Sequence, residues 1–289
     1  MTKAAKIKSF DPNSPGAANA GIYGLPFTTT EADIVLVPVP WEVTTSYGGG
    51  TSHGPVAILE ASQQVDLFHP EFPGLWKRGI AMDEIPEALL EQSKALKKEA
   101  KQVIDVLTEG GDAKKRAKAK KALDRINTEC AVMNEWVEQR TGYWLDQGKL
   151  VGLVGGDHST PLGFFRAQAA RHKEFGILHI DAHLDLRVAY EGFTYSHASI
   201  MHNALPIKQV SKLVSVGIRD FCEQENEVFL KQKDRVRIVR SADVRRQQYE
   251  GITWREQCDA IIASLPQNVH ISFDIDGLDP KLCPNTGTP

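Results

Sequence analysis

From Leu150 to Phe273, short apolar and β-branched runs alternate with stretches of helical spacing, and this alternation constrains the fold more than any other feature of the chain. The runs cover 150–154, 176–180, 213–218, 236–239 and 269–273, with helices expected over 160–172 and near 254–265. Repeated strand, turn and helix predict an α/β fold of three layers, α/β/α, with a mainly parallel central sheet. Three of the runs end in acidic and histidine blocks: Gly155-Gly156-Asp157-His158-Ser159, Asp181-Ala182-His183-Leu184-Asp185 and Ser272-Phe273-Asp274-Ile275-Asp276. A parallel sheet gathers its ligand site at the carboxyl ends of its strands, so the blocks are candidates for a common site.

The first core strand is expected in Asp33-Ile34-Val35-Leu36-Val37-Pro38-Val39-Pro40, closed by its prolines. A glycine-rich loop over 44–55 follows, and Pro55 suits the first turn of a helix over about 55–65. Such loops often cradle phosphate, but this one has neither the Gly-Lys-Ser/Thr ending of a P-loop nor dinucleotide-binding spacing, so it is taken to line a pocket. Residues 85–147 are rich in lysine, glutamate and alanine and predict a helical insertion near 86–147, with two helices parted at Gly110-Gly111. Residues 1–30 show no period and are expected to form an arm, disordered alone or draped over a neighbouring surface, ahead of a single domain over 31–289.

Composition narrows the function. With 289 residues, 42% hydrophobic and 25% charged, the chain can bury a large core, and a net charge of −3 sets up no field for nucleic acid or an anionic membrane. The basic cluster 114–121 alternates with alanine and has no interleaved aromatics, which makes it a solvated helix face. Cys130, Cys222, Cys258 and Cys283 form no CxxC pair, no apolar run is long enough to span a bilayer, and a reducing cytoplasm is the expected location. A small-molecule substrate is implied.

The blocks supply six candidate metal ligands: His158, Asp181, His183, Asp185, Asp274 and Asp276. A lone histidine after a strand is usually a packing or turn residue. His158, however, follows two glycines and precedes Ser159-Thr160-Pro161, so it is presented at a helix start, with Asp157 a candidate to orient its ring. In an extended segment Asp181, His183 and Asp185 share one face, as do Asp274 and Asp276. Two carboxylates at a buried strand end repel unless neutralised, and a divalent ion is the simplest neutraliser. Oxygen and imidazole donors suit Mn²⁺, Mg²⁺ or Ni²⁺ better than a structural zinc. A rival is the haloacid-dehalogenase type of phosphotransferase, whose strand followed by Asp-x-Asp-Gly is similar to Asp274-Ile275-Asp276-Gly277. That family places its nucleophile near the start of its domain, whereas thirteen residues follow Asp276 here.

With all three blocks in order, and with Gly54-Pro55-Val56-Ala57-Ile58 and the loop before it, the chain resembles the ureohydrolase superfamily of arginases and agmatinases over about 34–289. The resemblance implies an arginase-like α/β/α fold, a homo-oligomer (trimer or hexamer), and a binuclear centre, usually Mn²⁺ with Ni²⁺ as an option. It also implies that His158, Asp181, Asp185 and Asp274 hold one ion and Asp181, His183, Asp274 and Asp276 the other, with Asp181 and Asp274 bridging. A metal-bridging hydroxide would attack the guanidinium carbon and release urea plus an amine or ammonia. His197, in Tyr195-Ser196-His197-Ala198, aligns with the family's active-site histidine and is the expected proton relay, with Asp185 counted beside it as catalytic. His53, Glu191, Tyr195 and His202 are the candidate substrate-binding residues, and Tyr190 and Phe193 are further aromatic surface for a cation.

The loop Ser196-His197-Ala198-Ser199-Ile200 and the segments Leu186-Arg187 and 190–195 differ from typical agmatinases. They are more similar to a divergent agmatinase-like branch that includes hydrolases of free guanidine, some of them nickel-dependent. The family also continues past Asp279-Pro280 through further strands and helices, including a glutamate that receives the guanidinium. A chain ending at Pro289 is therefore expected to be a C-terminally truncated fragment, or not competent by itself. The alternatives are a non-catalytic metal-binding subunit or scaffold, and a metal-dependent phosphatase.

Overall fold

The computed structural model describes residues 1–17, 20–286 and 288. The elements are α1 (Lys3–Ser9), β1 (Ile34–Val39), α2 (Gly54–Ser62), β2 (Ile80–Met82), α3 (Glu87–Glu109), α4 (Ala113–Asp146), β3 (Leu150–Gly155), α5 (Leu162–Ala169), β4 (Phe175–Ile180), α6 (Ile200–Ala204), β5 (Val210–Ile218), α7 (Glu223–Lys231), β6 (Val236–Arg240), α8 (Ser241–Tyr249), α9 (Trp254–Ile262) and β7 (Val269–Phe273). Every strand pairing is parallel, and helices alternate with strands, as an α/β chain requires. The pairing falls into two sheets, and the chain divides into two compact units: 1–43, 49–98 and 133–164 form the first, and 44–48, 99–132 and 165–289 the second.

In the first unit the order is β2-β1-β3. Strand β1 runs through Pro38 and ends at Val39, directly before Pro40. The reason is register: β2 covers only Ile34 to Leu36, so no β2 carbonyl seeks the N–H that Pro38 lacks, while β3 pairs along the whole of β1. The N-terminal residues contain α1, capped by Thr2, and are tied down by ion pairs from Lys3 to Asp33 and from Lys6 to Glu31. Phe10 lies 5.1 Å from the Trp76 ring, and Leu25, Phe27, Ala32, Trp76 and Ala81 form a buried cluster beneath. In the glycine-rich loop, the amides of Gly50 and Ser52 donate to Glu42 Oε2 at 2.7 and 3.2 Å, so a carboxylate occupies the place a phosphate would take.

The second unit has the order β6-β5-β4-β7. Phe165, Phe175, Ile177, Leu213 and Val214 are buried around it. Because β4 is an inner strand, its carboxyl end is flanked on both sides, by β5 and by β7. That placement sets Asp181 between two loops that approach it closely.

Candidate metal centre

Strand β4 ends at Ile180, and Asp181 follows at once, its amide still donating to Val216 O of β5 at 3.0 Å. On the other side Asp274 N donates to Ile180 O at 2.8 Å, which brings the turn after β7 against the same strand end. The approach is tight. A methyl at Gly277 would lie 2.9 Å from Asp181 N, and one at Gly217, where φ is +93°, would lie 3.0 Å from Asp181 O. Arg219 holds the β7 turn by donating to the carbonyls of Asp276 and Leu278, at 2.6 and 3.2 Å.

The block side chains converge at this end. Asp181, His183 and Asp276 each offer a ligand atom within 4.8 Å of the others, and so do His179, Asp181 and Asp185. His183 Nδ1 lies 3.4 Å from Asp181 Oδ1 and 3.2 Å from Asp276 Oδ2. Asp181, Asp185 and Asp276 are all buried. Burial works against a charged ring on His183, but hydrogen bonds to Asp181 and Asp276 outweigh it and push its pKa up to about 11. Buried carboxylates that draw positive charge this strongly, in a set of oxygen and imidazole donors without thiolate, fit a hard or borderline divalent cation.

Asp185 has a left-handed backbone, φ 54°, unusual for a residue with a side chain, and its carbonyl accepts from the amides of Met201 and His202. Asp274 stands at the turn, but its Oδ1 accepts from Asp276 N at 3.1 Å and it joins neither ligand set. His158 lies at the carboxyl end of β3 in the first unit. Asp157, expected to orient that imidazole, instead accepts from the amides of Ser159 and Val43, so it braces the loop.

His197 opens a short turn after Ser196, with its amide donating to Thr44 Oγ1 at 3.1 Å and its Nδ1 3.2 Å from the same oxygen. Thr44 is fully buried, so the ring hangs from a fixed point. Beside it, Tyr190 meets His197 edge-on at 6.5 Å, and the Arg187 guanidinium lies 4.7 Å from the Tyr190 ring centre. An internal cation thus already lies over Tyr190, one of the aromatics expected to face a substrate cation, and Phe193 is buried in the core. Glu191 sits in the same turn with φ 56°, and Tyr195 is half-buried. His53 is exposed in the first unit. His202 lines a groove of about 360 Å³ with Leu205, Lys231 and Arg235, none of which belongs to the three blocks, and burial holds its pKa below the ordinary value.

Thr44, His179 and Ser215 escaped the sequence reading. His179 carried a signal, since it stands two residues before Asp181 in a strand and therefore shares its face. Thr44 and Ser215 carried none, because their roles come from loop and strand pairings distant in sequence. No helix among the described residues is long and apolar enough to cross a membrane.

A family model described as Arginase family matches residues 32–289. The chain is 29% identical over 269 residues to an N(1)-aminopropylagmatine ureohydrolase of Synechocystis, and 31% identical over 259 residues to one of Thermus thermophilus. Each match covers 90% of this chain and 72% of the relative. Among solved structures, the agmatine ureohydrolase of Thermoplasma volcanium superposes with a TM-score of 0.65 at 23% identity, over 99% of this chain and 79% of that one, which is a likeness of fold.

Proposed function

Since the chain belongs to the Arginase family, we propose that it hydrolyses a small guanidino compound to urea and an amine, or ammonia, at a centre of two divalent ions. Its place among ureohydrolases rests on the family match and on relatives that bear that name. The observation that carries the reading is the convergence of Asp181, His183 and Asp276 at one buried strand end. His158, Asp181, Asp185 and Asp274 would hold one ion, and Asp181, His183, Asp274 and Asp276 the other. Asp274 can ligate while its Oδ1 keeps the bond from the Asp276 amide, since a carboxylate has further lone pairs. Such ions supply a nucleophile at neutral pH by acidifying water.

The remaining work falls to side chains of the chain itself. Thr44 engages His197 Nδ1, which makes Nε2 the nitrogen that would donate the proton to the departing amine. Glu191, Tyr195 and His202 lie within six residues of His197 along the chain and are the proposed substrate contacts beside it, with His53 further off. A homo-oligomer in the cytoplasm completes the proposal. Substrates longer than agmatine deserve equal weight, because the relatives named above act, by their names, on N(1)-aminopropylagmatine.

The test is a urea-release screen of agmatine, N(1)-aminopropylagmatine, guanidinobutyrate, arginine and guanidine, each with Mn²⁺ and with Ni²⁺. Urea should form from at least one of them, and Asp181→Ala should abolish both turnover and metal loading. A metal-loaded chain that releases no urea would favour the scaffold, and release of phosphate from phosphomonoesters would favour the phosphatase.

A further inference from the structure

Two residues before Asp181, and on the same face of β4, His179 is fully buried. Its Nε2 lies 2.8 Å from Asp181 Oδ2, and its Nδ1 lies 3.0 Å from Ser215 Oγ. Ser215 is also fully buried, and it stands directly opposite His179 in the parallel register of β4 and β5. An ionised carboxylate can only accept, so Nε2 carries a proton and donates it to Asp181. In the neutral ring Nδ1 is then an acceptor, and the Ser215 hydroxyl is its donor.

The other oxygen of Asp181 is held as well, since Oδ1 accepts from His183 N at 2.6 Å. Each carboxylate oxygen has two lone-pair directions. With a buried donor fixed on each oxygen, the carboxylate is held in one orientation at the strand end. A group of the same charge without these donors would reach an ion only after losing its rotational freedom, which weakens binding.

We propose that His179, keyed by Ser215, is a positioning residue that holds the Asp181 carboxylate in one orientation for metal binding. His179 is on this view not a ligand, although its ring nitrogen lies within 4.8 Å of the donor atoms of Asp181 and Asp185. The inference rests on the metal-centre reading given under the proposed function.

The test measures Mn²⁺ affinity and stoichiometry by calorimetry, with the Mn²⁺ electron paramagnetic resonance spectrum as a second readout, for the wild-type chain and for His179→Phe, His179→Gln and Ser215→Ala. His179→Phe should keep the stoichiometry but weaken affinity about 10–100-fold, with an altered spectrum. His179→Gln, whose amide N–H can donate in place of Nε2, should recover most of the loss, and Ser215→Ala should fall between wild type and His179→Phe. Circular dichroism establishes that each variant is folded, and the glutamine variant keeps the test decisive if phenylalanine prevents folding. Unchanged affinity in His179→Phe would overturn the inference, as would loss of a whole metal equivalent in His179→Gln, which would make His179 a ligand. A wild-type chain that binds no Mn²⁺ would instead bring down the metal-centre reading, and this inference with it.

Discussion

At the scale of single residues, the site combines groups whose chemistry is visible in sequence with groups whose only task is to hold them. His197→Ala should retain metal and lose about 10²–10⁴-fold in kcat, as removal of a proton donor does. Thr44→Val keeps the ring and removes only its anchor, so kcat should fall roughly tenfold with metal content unchanged, read by steady-state urea release beside metal analysis. The two variants separate proton transfer from ring placement. The ligand candidates were legible because carboxylate and imidazole at strand ends need a reason to be there. Thr44 was not, since a buried threonine on a loop 153 residues from its partner is indistinguishable in sequence from any other.

At the scale of elements, a comparable pattern secures the first unit. Directly after β2, the carboxylate of Asp83 accepts from Arg140 Nη2 at 2.6 Å and from Trp144 Nε1 at 2.8 Å, both at the end of α4. Burial works to raise the Asp83 pKa, but these bonds outweigh it and hold the group below the ordinary carboxylate value. A depressed folded-state pKa stabilises the protein above the unfolded value of about 3.9, and the contribution is lost as pH falls through the folded value. Asp83→Asn should therefore cost about 2–3 kcal/mol near pH 7, and its deficit against wild type should shrink below pH 4, as followed by urea denaturation at the two pH values. The strands that carry the blocks were predicted close to their observed bounds, because runs of valine, isoleucine and leucine between turn residues have few other uses. Strand β2 was missed at three residues, and α8 because its sequence, Ser-Ala-Asp-Val-Arg-Arg-Gln-Gln-Tyr, has almost no apolar face. Helix α7 was missed because its local capping box, in which Glu225 accepts from Cys222 N at 2.9 Å, has Cys where Ser or Thr is usual; Glu225 also accepts from Leu186 N at 3.0 Å, which joins the helix to the segment that follows the second block.

At the scale of the molecule, β7 pairs with β4 on one edge, and its Val269, Ile271 and Phe273 share an exposed face, with Ile271 63% and Phe273 51% accessible. Apolar side chains lined up on an outer strand promote association. The 289-residue chain should accordingly gain apparent mass with concentration in light scattering, and Val269→Lys with Ile271→Lys should reduce that gain while leaving metal binding in place. Alternation in sequence foretold the strand, but not which of its faces would lack cover, because that depends on neighbours rather than on the strand itself.

Asp181 and Asp276 meet across β4 and β7, and between these strands the chain makes β5, β6 and four helices. Loop closure of that length is slow relative to local structure, since its entropy must be met before the contact rewards it. The acid cluster consequently forms later than β4 itself. A chain emerging from the ribosome can have a finished β4, with Asp181 and His183 in place, and still lack the cluster until Asp276 arrives. Metal capture would then mark completed folding of the second unit rather than guide it, and its rate would follow refolding instead of ion concentration.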